Sequence, residues 1–322
     1  MNDINQTNHV ANNVKKFLFV SWISLSGNLA LKIKKEGHEV KVFIDSKTDA
    51  DVYDGILDKV EKWEDYIDWA DIIVFDDVGF GAWADKLRKK GKLVVGGSVY
   101  TDRTEEDREF GQGEMKRAGM NILPNFNFDN FDAALDFLKN NPGRYVFKPN
   151  GSAGNEKNLL FVGEEEDGKD LIEIIEHNKK DWLKKIKGGF QLQKFVAGVE
   201  VAAGGFFNGH KFIYPINTNF EHKKLFPGER GPSTGEMGTL MYWNHSSVLF
   251  QNTLAKMEPF LAECGYVGYY DINCIVNGRG IYPLEITARF GYPTISVQME
   301  GINEPMGEFL YKLAKGEDFE LK

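Results

Sequence analysis

The chain has 322 residues, enough for two or three domains with cores of their own, and its 42% hydrophobic and 27% charged residues are those of an ordinary globular protein rather than a disordered or fibrous one. A net charge of −9 argues against a nucleic-acid polymer as the main partner, because binding along a phosphate backbone needs clustered Lys and Arg. It leaves room for a small anionic ligand in a local basic pocket. No apolar run is long enough to span a bilayer. The opening MNDINQTNHVANNVKK lacks the apolar core of a secretory signal, so no membrane partner and a cytoplasmic location are expected. Cys264 and Cys274 sit in apolar surroundings and read as small core residues.

In chain order, residues 1–14 read as a disordered polar tail. Lys16–Trp22 is a short apolar run of the kind that forms a buried parallel strand. Ser24–Asn28 is a turn, Leu29–Glu36 has helical spacing, and Gly37 stops it. Glu39–Ile44, Asp71–Phe75 and Leu93–Val95 read as further strands, with a helix over Ala82–Lys90. Strands alternating with helices imply βαβ units, so residues 15–102 are expected to form an open, Rossmann-like α/β domain. No G-x-G-x-x-G follows the first strand, which weakens a dinucleotide-binding reading. Ser26, Gly27 and Asn28 in that turn are either ligand contacts or an ordinary helix cap.

From residue 103 the pattern changes. Thr104–Gly119 is charged and helical, with a cap expected at Thr104. Ile122–Phe128 is extended, Phe131–Lys139 helical, and Arg144–Pro149 a strand that sets Lys148 beside the glycine-bearing turn Gly151–Gly154. With a strand over Asn158–Val162, this turn is a hairpin loop or a lid whose backbone N–H groups close over phosphates. It is not a P-loop, since the GK[ST] signature is missing. Leu171–Lys187 is a helix, and Phe190–Val196, Glu200–Phe207 and Lys211–Ile216 are strands of a mostly antiparallel region. Phe220–Met241 reads as a long irregular loop, the kind that is functional or mobile. Ser247–Gly265 is a helix, and a last helix is expected around Pro305–Lys315.

Between those helices lies YVGYYDINCIVNGRGIYPLEITARFG, residues 266–291. Two β-rich runs, Tyr269–Val276 and Gly280–Ile286, flank Asn277-Gly278, a tight-turn pair. The hairpin would bring Asp271 and Glu285 to the same end of a sheet, with Arg289 one step beyond. Two carboxylates and an arginine suit a magnesium–nucleotide site, since Mg²⁺ takes one or two carboxylates plus phosphate oxygens and Arg supplies planar donors. A structural Asp271–Arg289 ion pair accounts for the same residues.

Three segments of residues 104–315 resemble the ATP-grasp fold and, within it, the phosphoribosylamine–glycine ligase family. They are Gln193–Glu200 (QKFVAGVE), Glu221–Gly238 (EHKK leading to GPSTGEMG) and Leu284–Gly291 (LEITARFG). The resemblance implies an ATP-grasp domain of two parts, about 103–192 with the lid and 193–322 with the metal and substrate loops. It implies an ADP-forming ligase that joins a small carboxylate to an amine, using ATP with Mg²⁺, or Mn²⁺ in its place. Glu200 would meet ribose, and Gln193, Lys194, Phe195 and Val196 adenine. Arg108, Lys148, Gly151, Ser152, Gly154 and Lys157 would meet the phosphates. Asp271, Glu285 and Thr287 would hold the metal, and Arg289 and Lys148 would be the catalytic cations. Lys223, Gly231, Pro232, Ser233, Thr234, Gly235, Gly238 and Arg289 would grip the substrate; His222 in the same segment is as readily a solvated loop residue.

The sequence also departs from the family pattern. SWISLSGN replaces a glycine-rich turn, Thr287 replaces an asparagine, Arg108 replaces a lysine, and the lid reads GSAGNEKN. The family's small C-terminal domain is expected to be absent, because the chain stops at Lys322. These departures keep two alternatives in view: a ligase for another amino acid and amine, or an ATP-binding protein without turnover.

Overall fold

The computed structural model describes residues 14–322 except Glu229 and Ser246, without the side chains at 152, 155, 157, 233 and 235. The expected tail, save Val14, and the expected roles of Ser152, Lys157, Ser233 and Gly235 therefore lie outside what is described.

Five parallel strands open the structure: β1 (Lys16–Ser21), β2 (Glu39–Ile44), β3 (Asp58–Lys59), β4 (Ile72–Phe75) and β5 (Leu93–Val95), in the order β3-β2-β1-β4-β5. Phe17, Leu18, Phe19 and Val20 are all buried, as expected of a parallel strand covered on both faces. Helix α1 (Gly27–Lys35) links β1 to β2, and α2 (Gly81–Lys89) links β4 to β5. The strand order reverses between β1 and β4, and the crevice at their carboxyl ends faces the rest of the molecule.

The single helix expected over Thr104–Gly119 is two. α3 (Val99–Glu106) is capped by Ser98, whose Oγ accepts from the Thr101 amide at 3.1 Å. α4 (Arg108–Arg117) is capped by Asp107, which accepts from the Phe110 amide at 3.0 Å. Asp107 adopts an extended backbone and breaks the run, so the cap falls there rather than at Thr104.

A second, antiparallel sheet holds β6 (Asn125–Phe128), β7 (Tyr145–Pro149), β8 (Phe161–Val162) and β9 (Phe190–Lys194), in the order β6-β9-β7-β8, covered by α5 (Phe131–Asn140) and α6 (Lys169–Lys185). Its core is its own: Phe131, Phe147, Leu171, Trp182, Phe190 and Leu192 pack together. The strand expected over Asn158–Val162 shrinks to β8, because the lid is wound into two 3₁₀ turns, Gly151–Asn155 and Lys157–Leu159.

The third sheet is antiparallel, in the order β12-β11-β10-β13-β14, with β10 (Val199–Asn208), β11 (Phe212–Phe226), β12 (Arg230–Asn244), β13 (Val267–Asn277) and β14 (Gly280–Thr287). The segment Phe220–Met241 is no irregular loop. It is the outer half of a β11–β12 ribbon, paired from Ile216↔Asn244 to Phe226↔Arg230, with register shifts beside Lys224. The helix expected over Ser247–Gly265 breaks at Thr253 into α7 (Val248–Asn252) and α8 (Leu254–Glu263). The chain closes with α9 (Thr294–Gly301), which the sequence reading omitted, and α10 (Met306–Ala314).

One buried cluster joins the first sheet to the third: Phe17, Phe19 and Val42 share it with Phe206, Tyr269, Phe309 and Leu310. Among the described residues no helix is long and apolar enough to cross a membrane.

Candidate active site

The β13–β14 hairpin sets the site. Its register pairs Asp271 with Thr287 and Asn273 with Glu285. Alternation along each strand then puts all four side chains on one face. Gly204 lies opposite Asp271 on β10, and a Cβ there would stand 1.9 Å from the Tyr269 hydroxyl. Because that space is free, Tyr269 donates to Asp271 Oδ2 at 3.0 Å, and Asn217 donates to the Tyr269 oxygen at 3.0 Å. Asp271 is buried, and burial followed by the charge of Glu221 pushes its carboxyl well above the usual range.

Cations from three elements meet this face. Lys148 on β7 is buried, and burial, with Arg108 next in effect, lowers its ammonium to about 8. Arg108, at the start of α4, places Nη1 4.0 Å from Glu285 Oε2. Lys223 on β11 sits among three carboxylates, 2.6 Å from Glu200, 3.2 Å from Glu221 and 3.8 Å from Glu285. Burial works against that ammonium, but the three carboxylates together raise its pKa. Asn273 donates to the same Glu200 oxygen at 2.7 Å. Lys223 thus stands between the residues expected at ribose and at the metal, not at the substrate alone.

Arg289 is fixed from the first part of the chain. Its Nε lies 3.1 Å from Glu105 on α3 and 3.5 Å from Asp77 after β4, and Glu105 also accepts from the Ala288 amide at 2.6 Å. The Asp271–Arg289 pair that sequence left open is replaced by this clamp. Sequence reasoning missed Glu105 and Asp77 because they are far from Arg289 in the chain. The doublet Asp76-Asp77 at a strand's carboxyl end was the available signal.

Two cavities meet at Glu285, Thr287 and Arg289. The larger, about 560 Å³, lies between Arg108 and Gln112 on one side and Asn150, Gly151 and Gly154 of the lid on the other. Its size falls within the range of small-molecule sites. The smaller, about 190 Å³, is walled by Glu221, Lys223, Glu236, Asp271 and Thr294.

Other expected residues stand farther off. Gly231 and Pro232 are exposed near the ribbon tip, Thr234 donates to the Lys223 carbonyl at 2.8 Å, and neither they nor Gly238 line either cavity. On β12 the small cavity is lined by Glu236, which was missed; it lies between Thr234 and Gly238 in the segment already singled out. Gln193 is buried. The amides of Lys194 and Phe195 donate to the Pro124 and Arg144 carbonyls, and the Lys194 ammonium lies over the Tyr145 ring.

Among the described residues no three of Asp, Glu, His and Cys converge to chelate a cation alone. The donor set fits a cation that brings further ligands with it. Asp271 and Glu285 share a face, and burial, followed by repulsion from Glu221, raises both Asp271 and Glu236, the latter to about 7. A divalent ion completing its shell with phosphate oxygens relieves that repulsion.

Residues 106–295 match the family described as phosphoribosylglycinamide synthetase, ATP-grasp (A) domain. The chain belongs to this family. The matched span contains the lid, the Gln193–Glu200 segment, the ribbon and the hairpin, so the ATP-grasp resemblance and the fold expected from it are borne out. Similar curated proteins include the phosphoribosylamine–glycine ligases of Methanocella arvoryzae, 28% identical over 65% of this chain and 49% of that protein, and of Methanocorpusculum labreanum, 30% identical over 65% and 49%. The chain spans about half the length of the curated relatives it matches. Among solved structures, phosphoribosylamine–glycine ligase from Thermotoga maritima aligns with a TM-score of 0.69 at 20% identity, covering 95% of this chain and 76% of that one. N5-carboxyaminoimidazole synthetase from Staphylococcus aureus aligns at 0.61 and 13%, covering 95% and 78%. At these identities the two structures speak for the ATP-grasp fold alone.

Proposed function

We propose that this protein is an ADP-forming carboxylate–amine ligase of the phosphoribosylamine–glycine ligase type, using ATP and Mg²⁺. Residues 15–102 act as the Rossmann-like portion, and 103–192 and 193–322 as the two halves that enclose the nucleotide. The observation that carries the reading is the single face of β13–β14 bearing Asp271, Glu285 and Thr287, met by Lys223 and Arg108 on the walls of the two cavities, with the charge of Lys148 coupled to theirs.

The reaction runs in two steps. The substrate carboxylate attacks the γ-phosphorus, giving ADP and an acyl phosphate; the amine then attacks the acyl carbon and phosphate leaves. Asp271 and Glu285 would hold a magnesium ion, with Thr287 as a further oxygen, and that ion would supply neutralisation of phosphate charge. Lys148 and Arg108 receive phosphate oxygens beneath the Gly151–Gly154 lid, which excludes water from the acyl phosphate. Arg289, kept in place by Glu105 and Asp77, faces the transferring group where the cavities meet. Glycine and phosphoribosylamine, the pair in the relatives' names, are the first substrates to try. ADP release together with mass detection of a ligated product tests the reading; ATP binding without ADP from any carboxylate–amine pair would leave a nucleotide-binding protein without turnover.

Two local predictions arise here. Lys148 is part-neutral near pH 8, and a phosphate beside it stabilises the charged form. Nucleotide binding at pH 8.5 is therefore expected to take up protons, and affinity to fall as pH rises through 8. Calorimetry in two buffers of different ionisation enthalpy reads this directly, and a buffer-independent heat would remove Lys148 from the phosphates. In Lys223→Met, Glu200, Glu221 and Glu285 lose their shared ammonium. Mg²⁺ without nucleotide should then raise the variant's Tm by about 1–2 °C more than the parent's, the equivalent of about 1 kcal/mol. An equal shift in both would take Lys223 out of the metal's surroundings.

A further inference from the structure

In an open α/β sheet, an anionic group on a ligand is received where the strand order reverses, at the amide-rich start of the helix after the first strand. Here that point lies between β1 and β4, at the start of α1. It borders the small cavity: Asn28 of α1 donates to the Ser296 hydroxyl on α9, Asp77 reaches Arg289, and Thr294 forms part of the wall.

The chain fills this seat itself. Asp76, at the end of β4, is buried and accepts both from the Ser26 amide at 2.9 Å and from the Ser26 hydroxyl at 2.8 Å. The Tyr53 ring lies across Gly27, so that a Cβ there would stand 2.1 Å from Tyr53 Cε2. Trp22 closes the β1 side, with its ring against Gly79 and its Nε1 donating to the Val78 carbonyl at 2.7 Å. The cavity beyond has the same bias. Glu221, Glu236 and Asp271 face it, while its cations are already paired, Lys223 with three carboxylates and Arg289 with Glu105 and Asp77.

We propose, resting on the ligase reading above, that the amine this protein joins carries no phosphate group: the Asp76 carboxylate holds the place where a substrate phosphate would sit, and the acidic wall receives a small unphosphorylated amine. Burial raises the Asp76 carboxyl to about 6 against the hydrogen bonds of Ser21 and Ser26. At pH 8 the seat therefore holds a full negative charge.

The test compares ribosylamine with 5-phosphoribosylamine at pH 8, with ATP, Mg²⁺ and glycine. The expected result is a kcat/KM at least about tenfold higher for the unphosphorylated amine, a difference of about 1.4 kcal/mol. Preference for the phosphorylated amine overturns the inference and leaves the ligase reading standing. Binding is read separately, by titrating ribose and ribose 5-phosphate into the wild-type protein with MgADP. Ribose 5-phosphate is expected to bind no more tightly than ribose, and tighter binding overturns the inference whether or not any pair turns over. Asp76→Asn keeps an acceptor for Ser26 and removes the charge; it should bind ribose 5-phosphate about tenfold more tightly than wild type. An unchanged affinity in a folded Asp76→Asn protein also overturns it, and the wild-type titrations stand if that variant does not fold. Absence of ADP with every pair would bring down the ligase reading while leaving both titrations interpretable.

Discussion

Glu285→Gln should leave less than about a thousandth of wild-type turnover in a protein that stays folded. A thousandfold loss corresponds to about 4 kcal/mol of transition-state stabilisation, within reach of one metal-holding carboxylate in a nucleotide site. The same side chain faces Arg108 at 4.0 Å and Lys223 at 3.8 Å, so its charge also organises two cations around the phosphates. Glutamine keeps the shape and the strand pairing with Asn273 but supplies neither charge nor a second anionic oxygen. The side chain is about half exposed, so no buried group is orphaned by the change. ADP release with a carboxylate–amine pair that the wild-type protein turns over, alongside a melting curve, decides the matter. Turnover near wild type would remove Glu285 from the metal.

Arg289→Met should be the more damaging change to the fold. Arg289 is the counter-charge of Glu105 and Asp77, and burial raises the carboxyls of both even in its presence. Removing it leaves two largely desolvated carboxylates facing one another, a loss expected at about 3 kcal/mol. The sign with pH follows from those directions. A carboxyl whose folded pKa is raised contributes stability below its unfolded pKa and loses it as pH rises through the folded value. In the variant both folded values rise further, so the penalty should be largest at pH 8 and shrink as pH falls toward 5. Denaturant melts of both proteins across that range measure it, and a penalty that does not change with pH would mean the clamp is not electrostatic.

The legible parts of this protein were those whose local pattern and tertiary role agree. KFLFVS, EVKVFI and IIVF are apolar because parallel strands are covered on both faces, and each was placed to within a residue or so. The Asn-Gly signal located the hairpin, although the turn falls one residue later than expected, on Gly278-Arg279 with Asn277 paired to Gly280; the common face of Asp271 and Glu285 follows from that pairing. The ribbon was misread because a two-stranded arm whose inner face lines a polar cavity needs no apolar alternation, so EHKKLFPGERGPSTG gives no strand signal. The break at Asp107 was missed because charged residues continue on either side of it, and only the extended backbone at that position separates α3 from α4. In the candidate site, Lys148, Lys223 and Arg289 were singled out from their neighbours in sequence. Glu105, Asp77, Glu221 and Glu236 acquire their meaning only when separate sheets meet, and no spacing along the chain encodes that.

The distribution of the buried clusters divides the molecule mechanically. The first and third sheets share one core through Phe17, Phe206, Tyr269 and Phe309, whereas β6–β9 with α5 and α6 pack about a core of their own. Displacing the first sheet from the third would expose that common core to water, at a cost that scales with the apolar area uncovered. Swinging the β6–β9 unit leaves every buried cluster whole. It bends the chain only at its two connections, near Gly119–Pro124 and Ala197-Gly198. The molecule is therefore built as a frame with one jaw. Asp271, Glu285 and the arginine clamp belong to the frame, Lys148 and the lid ride on the jaw, and an opening of the jaw would draw Lys148 away from Glu285. On the ligase reading proposed above, grip on the nucleotide's phosphates and release of the spent nucleotide would be two positions of the same lever.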